Sequence, residues 1–150
     1  MATPRHDISA AELLAIARGM AERPQRDLIS SWDALLAYLH LQHGNPRKEV
    51  FRVLFLDRKN CLIVDKIMGE GTIDHCPVYV REIMREALLC DASAIIIAHN
   101  HPSGDPKPSQ ADIDMTRQIV DACGVIGITF HDHVVIGNGR EVSLRQAGKI

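Results

Sequence analysis

No stretch of this 150-residue chain strings together the ~18 apolar residues that a membrane-spanning helix needs, so no membrane span is expected. The N-terminus shows no apolar core of the signal-peptide kind, and no signal peptide is expected. Cysteine is sparse: Cys61, Cys76, Cys90 and Cys123 lie far apart and form no C-x-x-C pair. That argues against a disulfide framework and for reduced thiols in a cytoplasmic protein. Neither charge sign dominates. A formal net charge of −2 argues against broad, nonspecific binding to nucleic acid and leaves room only for a local basic patch. There is no internal repeat, low-complexity tract or long linker. What remains, 46% hydrophobic and 24% charged residues, suits one globular domain, and a domain of this length can bury about 68–70% of its unfolded surface.

The chain opens with two helical patterns. Ser9 followed by Glu12 is a capping-box start, and Leu13, Ile16, Ala17 and Met20 make one apolar stripe that Pro24 ends. A second helix starts near Ser31, with Trp32, Leu35, Leu36 and Leu39 on one face and a stop at Gly44 and Pro46. His40 and His43 sit one turn apart on it and read as exposed helix histidines. A strand begins at Glu49 and is apolar from Val50 to Leu56 except at Arg52. The turn Asp57–Asn60 pairs it with Leu62 to Ile67 as a hairpin, and Gly69 and Gly71 break the pattern. From about Pro77 a helix turns Val80, Ile83, Met84, Ala87 and Leu88 inward, with Arg81, Glu82, Arg85 and Glu86 on a solvated face. Ala94 to Ala98 reads as a buried strand. A helix over Gln110–Cys123 buries Ile113, Thr116, Ile119, Val120 and Cys123. Ile126–Phe130 and Val134–Ile136 read as strands, Asn138-Gly139 as a turn, and Val142–Ile150 as a last short strand with a frayed end.

The chemistry concentrates where the buried strand ends. From His99 to Asp112 the chain reads His-Asn-His-Pro-Ser-Gly-Asp-Pro-Lys-Pro-Ser-Gln-Ala-Asp. In extended backbone residues two apart share a face, so His99 and His101 can aim at one point. Ser109 and Asp112 open the next helix, a spacing that alone indicates a capping box. Two imidazoles and a carboxylate with an open fourth position make a catalytic zinc set, able to ionise a water near neutral pH. The missing part is a base, and Glu49 is the candidate. Phe51, Val53 and Phe55 share its face, which turns it inward; Glu70 is the rival.

Glu49, then His99-x-His101, seven residues, and Ser109-x-x-Asp112 resembles the JAMM (MPN+) metalloprotease signature. The fuller wording of the motif loop, with Gly71-Thr72, Arg81-Glu82-Ile83 and Asp132-His133, resembles the RadC branch of that family over roughly residues 49–148. The resemblance implies a mixed α/β sheet flanked by helices, the JAB/MPN domain of cytidine-deaminase-like type, over 46–150, behind an N-terminal helical segment over 1–45. It implies Zn2+ held by His99, His101 and Asp112, Glu49 as general base, and hydrolysis of peptide or isopeptide bonds in a protein or peptide substrate, ubiquitin-like conjugates included. Ser109 would cap through its backbone and steady the developing oxyanion through its hydroxyl.

Other features set the rival readings. His131-Asp132-His133 is a second His-x-His with no Ser-x-x-Asp after it. It reads as a buried, hydrogen-bonded group, with Asp132 available to orient a site histidine. His75 and Cys76 would lie near the cleft, and Asn100 and Ser103 within the loop would contact substrate or steady the turn. A zinc nucleobase deaminase would need His-x-Glu and Pro-Cys-x-x-Cys, and a zincin His-Glu-x-x-His; none is present. The alternative is a DNA-repair or recombination-associated binding protein of the RadC family, with Arg23, Arg26, Arg47, Arg58 and Lys59 as its basic residues. The link over Glu22–Asp27 lacks the glycine-centred hairpin that such a role would use. A metal-free MPN scaffold is the third reading, and the intact ligand set argues against it.

Overall fold

The computed structural model describes residues 29–42, 47–71 and 76–150. The expected first helix over Ser9–Met20, its end at Pro24, the helix stop at Gly44 and Pro46, and His43, Thr72 and His75 lie outside the described residues. The described elements are α1 (Trp32–Gln42), β1 (Glu49–Leu56), β2 (Leu62–Gly71), α2 (Val80–Leu89), β3 (Ala94–Asn100), α3 (Gln110–Ile126), β4 (Thr129–Gly137) and β5 (Arg140–Ser143). The strands form one mixed sheet in the order β2-β1-β3-β4-β5. Only the β3–β4 pair, joined through α3, is parallel; β1–β2, β1–β3 and β4–β5 are antiparallel.

Strand alternation sorts side chains into two cores. Phe51, Val53, Phe55, Ile95 and Ile97 meet Ile83 and Ala87 of α2 and Ile119 and Cys123 of α3. Leu54, Leu56, Ile96, Ala98, Val134 and Ile136 meet Leu35 and Leu39 of α1 on the other face. The result is a helix–sheet–helix sandwich. β3 is buried along its whole length, as its apolar run requires. Arg52, the polar exception in β1, is neutralised on the α1 face. Its guanidinium donates to Asp65 Oδ1 at 2.6 Å, and Tyr38 donates to Asp65 Oδ2 at 2.5 Å.

Several boundaries differ from expectation. β2 does not break at Gly69 but runs on to Gly71, its last residue. Gly69 is needed there because a Cβ would stand 2.7 Å from the Pro77 carbonyl oxygen. α3 runs to Ile126, so that residue is helical, and Gly127 closes the helix at φ 74°. The two strands expected after it are one, β4, with a bulge: Ile95 pairs with Phe130 and Ile96 with Asp132, leaving His131 extra. Leu88, expected inward, is 59% exposed at the end of α2. The C-terminal turn is not frayed; Ala147 N–H donates to the Ser143 carbonyl and Lys149 N–H to that of Leu144.

Candidate metal centre

The end of β3 and the start of α3 meet at one point. His99 is the penultimate residue of β3, and His101 follows its last residue. His101 N–H donates to the Ile136 carbonyl at 2.8 Å, and Gly104 N–H to the His101 carbonyl at 2.9 Å, so the loop turns sharply around His101. Gly104 takes φ 85° in that turn. The loop then returns to α3, whose N-cap is Ser109. His99 Nε2 and His101 Nε2 stand 2.9 Å apart. Asp112 Oδ1 is 3.4 Å from His99 Nε2, and Oδ2 is 3.3 Å from His101 Nε2. Tetrahedral zinc with bonds of about 2.0–2.1 Å separates its ligand atoms by roughly 3.3 Å; one ligand atom from each residue lies within 4.8 Å of the others, so the three donors suit the ion after a modest shift of the side chains. It is the one such His/Cys/Asp/Glu group among the described residues.

The carboxylate has two tasks. Asp112 Oδ2 accepts the Ser109 backbone N–H at 2.7 Å, and Ser109 Oγ accepts the Asp112 N–H at 3.1 Å. The capping box and the donor triangle therefore share Asp112. The expected division of labour in Ser109 changes with this. Its hydroxyl oxygen is itself the cap, while the hydroxyl proton is left to donate. Burial opposes ionisation of Asp112, but the His101 and His99 rings beside the carboxylate outweigh it and hold its pKa well below the usual carboxylate range. The same contact with Asp112 raises the His101 pKa above its ordinary value.

Glu49 opens β1 beside this group. Burial raises its pKa, against the lowering pull of His99 and His101. Asn100 fastens the backbone on both sides of it. The Asn100 Oδ1 accepts Val50 N–H at 2.8 Å, and its Nδ2 donates to the Lys48 carbonyl at 2.8 Å. Phe51 walls the histidines, stacked on His99 at 6.0 Å and edge-on to His133 at 5.6 Å. Cys76 lies close enough to feel Glu49, and burial first of all pushes its thiol up to about 11.

The second His-x-His divides at the β4 bulge. His131 and Asp132 lie beside Leu35, Leu56 and Ile96 on the α1 face, where His131 Nε2 contacts Asn60 Oδ1 at 2.9 Å. His133 returns to the other face and is buried against His99, with Nε2 2.6 Å from His99 Nδ1. The expectation that Asp132 orients a site histidine is corrected. Its carboxylate accepts from Ser143 Oγ and from the backbone N–H groups of His133 and Arg145. The ring against a site histidine belongs to His133. Of the basic residues, Arg47 precedes β1 while Arg58 and Lys59 follow it, at opposite ends of an eight-residue strand; Arg23 and Arg26 lie outside the described residues.

Comparison with known proteins fits this arrangement. A RadC-like JAB domain matches residues 29–149. The chain belongs to the RadC-like JAB domain family. Two curated relatives are bacterial proteins named only UPF0758. The one from Rhodobacter capsulatus is 55% identical over 140 residues, covering 93% of this chain and 64% of the relative. The one from Ruegeria pomeroyi is 51% identical over 142 residues, covering 95% and 63%. The chain thus spans a little under two thirds of the length of these relatives. The five-stranded mixed sheet with helices on both faces agrees with the JAB/MPN fold. No helix among the described residues is long and apolar enough to cross a membrane.

Proposed function

We propose that this RadC-like JAB domain is a zinc-dependent hydrolase of peptide or isopeptide bonds. The observation that carries the reading is the convergence of His99 Nε2, His101 Nε2 and the Asp112 carboxylate within 3.4 Å of one another, beside a Glu49 whose ionisation they influence. An imidazole and carboxylate set suits zinc. When bound, the ion supplies a Lewis acid that polarises a carbonyl and activates water near neutral pH.

The protein residues supply the rest. His99, His101 and Asp112 would hold the ion, with Glu49 beside them. Glu49 takes the proton of the attacking water and delivers it to the leaving amine, the two halves of general acid–base catalysis. Its half-buried place at the start of β1 favours that exchange, because partial desolvation makes a carboxylate a stronger base. Ser109, with its oxygen committed to the helix cap, donates its proton to the oxyanion. The substrate is a protein or peptide carrying the scissile amide.

Zinc-loaded protein assayed on peptide and isopeptide substrates tests this. Cleavage that falls about 10²–10⁴-fold in Glu49→Gln, with zinc content unchanged, is the expected result. Equal cleavage by the wild type and the variant would reject Glu49 as the base. Cleavage that does not depend on zinc would reject the reading altogether.

A further inference from the structure

Behind His99 the structure holds a line of three hydrogen bonds, from the Asp112 backbone through Thr116 and His133 to His99. Thr116 Oγ1 lies 2.5 Å from the Asp112 carbonyl oxygen, one helical turn back. It also lies 2.6 Å from His133 Nδ1. His133 Nε2 lies 2.6 Å from His99 Nδ1. His99 Nε2 in turn faces the Asp112 carboxylate at 3.4 Å. Thr116, His133 and His99 are all buried, at 0–1% exposure.

Counting protons fixes the direction of each bond from the Asp112 carbonyl to His99 Nδ1. A carbonyl oxygen only accepts, so the single Thr116 hydroxyl proton goes to Asp112. Thr116 Oγ1 must then accept from His133, which places a proton on His133 Nδ1. His133 is enclosed, and its nitrogens meet a hydroxyl and a second imidazole rather than an anion, so the neutral ring is favoured. A neutral ring with Nδ1–H has a bare Nε2, which accepts from His99 Nδ1–H. His99 is then left with a bare Nε2, the atom that joins the donor triangle. His101 reaches the same tautomer separately, because its Nδ1 faces the Asp105 carbonyl at 2.8 Å and must donate there.

We infer that Thr116 and His133 are positioning residues that lock the ring orientation and tautomer of His99, so that the neutral ring presents its Nε2 lone pair to the metal. This rests on the reading of His99, His101 and Asp112 as a metal centre. A partner that accepts from the far nitrogen of a ligating imidazole orients the ring and raises its basicity. Here the partner is a histidine, itself set by a helix hydroxyl. Thr116 stands four residues after Asp112 on the same helix, so α3 supplies one ligand directly and the orientation of another at second hand.

The test is zinc affinity by chelator competition on the full chain, with 15N NMR of the histidine rings in metal-free protein. Thr116→Val keeps shape and removes the acceptor. His133 Nδ1–H is then unpaired, which favours the reversed tautomer in His133 and consequently in His99. His133→Phe removes the relay, whereas His133→Gln can place an amide oxygen where Nε2 was. The expected result is zinc binding weakened about 10–100-fold in Thr116→Val and His133→Phe, and within a few-fold of wild type in His133→Gln. NMR should show His99 carrying its proton on Nδ1 in the wild type and redistributed toward Nε2 in Thr116→Val. If His133→Phe does not fold, Thr116→Val still decides the matter. Wild-type affinity in Thr116→Val with the His99 tautomer unchanged would overturn the inference, and so would equal losses in the Gln and Phe variants, which would assign His133 to packing alone. A wild type that binds no zinc would overturn the metal-centre reading first, and the inference with it.

Discussion

Glu49 and His101 each stand two residues beyond the register pair Phe51–His99 in the antiparallel β1–β3 ladder. Fifty-two positions of sequence thus collapse to neighbouring places at one end of the sheet. Strand alternation puts Glu49 on the face of Phe51, and His101 follows His99 toward the same side. The candidate base and a candidate ligand come from different strands, and pairing register alone brings them together.

Titration of the metal-free protein should carry the imprint of Glu49. Burial raises its pKa above the ordinary 4.5 despite His99 and His101. Its carboxyl is therefore expected to titrate above pH 4.5, followed by 13C NMR of the carboxyl carbons in metal-free wild type against Glu49→Gln. A titration at or below the ordinary value would contradict the buried setting of this carboxyl.

Removing the ion pair should expose a stability window in metal-stripped protein. The folded pKa of Asp112 lies below 3.8, so its contribution is complete above about pH 4 and lost as pH falls toward the folded value. His101 lies above 6.5 when folded, so its contribution is complete below 6.5 and lost as pH rises through the folded value. Asp112→Asn keeps an oxygen for the helix cap. Wild type should exceed it by about 1.5–3 kcal/mol between roughly pH 4 and 6.5, with the advantage shrinking on both sides. Thermal unfolding across that range measures it.

Asn100→Ala should impair catalysis more than metal binding. The side chain makes two partly buried bonds, to the Lys48 carbonyl and the Val50 N–H, each contributing about 0.5–1.5 kcal/mol. The strand start that carries Glu49 loosens, so kcat falls by at least tenfold while zinc affinity stays within a few-fold. Paired kinetic and zinc titrations check this split.

Gly137→Ala should disturb the centre from behind. A Cβ there would stand 2.7 Å from the Gly104 carbonyl oxygen and 2.8 Å from Pro106 N. Both are backbone atoms of the loop whose Asp105 carbonyl orients His101. A destabilisation of about 1–3 kcal/mol and weaker zinc binding are expected, by thermal melts and chelator competition.

The legible part of this architecture was local. The apolar run of β3, the two histidines at its end and the Ser109–Asp112 helix start all reside in short-range pattern. The helix α1 was equally readable, because Ser31 Oγ accepts the Ala34 N–H as its cap and its stripe follows directly. What escaped depended on distant contacts. Gly69 reads as a breaker, yet it continues β2 because the Pro77 backbone lies against it. The β4 bulge at His131 has no signature in the alternation, so one strand read as two and His133 was grouped with His131. The sequence pattern marks Thr116 only as an inward position of α3. Its i+4 spacing from Asp112 was the available clue, since that spacing puts a hydroxyl under the preceding turn. Its partner His133 is supplied by the parallel strand pairing of β3 with β4.

The most direct measurement is zinc per chain by elemental analysis, on purified wild type and on His101→Ala. The account predicts about one zinc per chain in the wild type and loss of it in the variant. Wild-type protein that takes up no zinc when the metal is supplied, or a variant that holds it equally well, would contradict the metal centre on which the proposed hydrolysis depends.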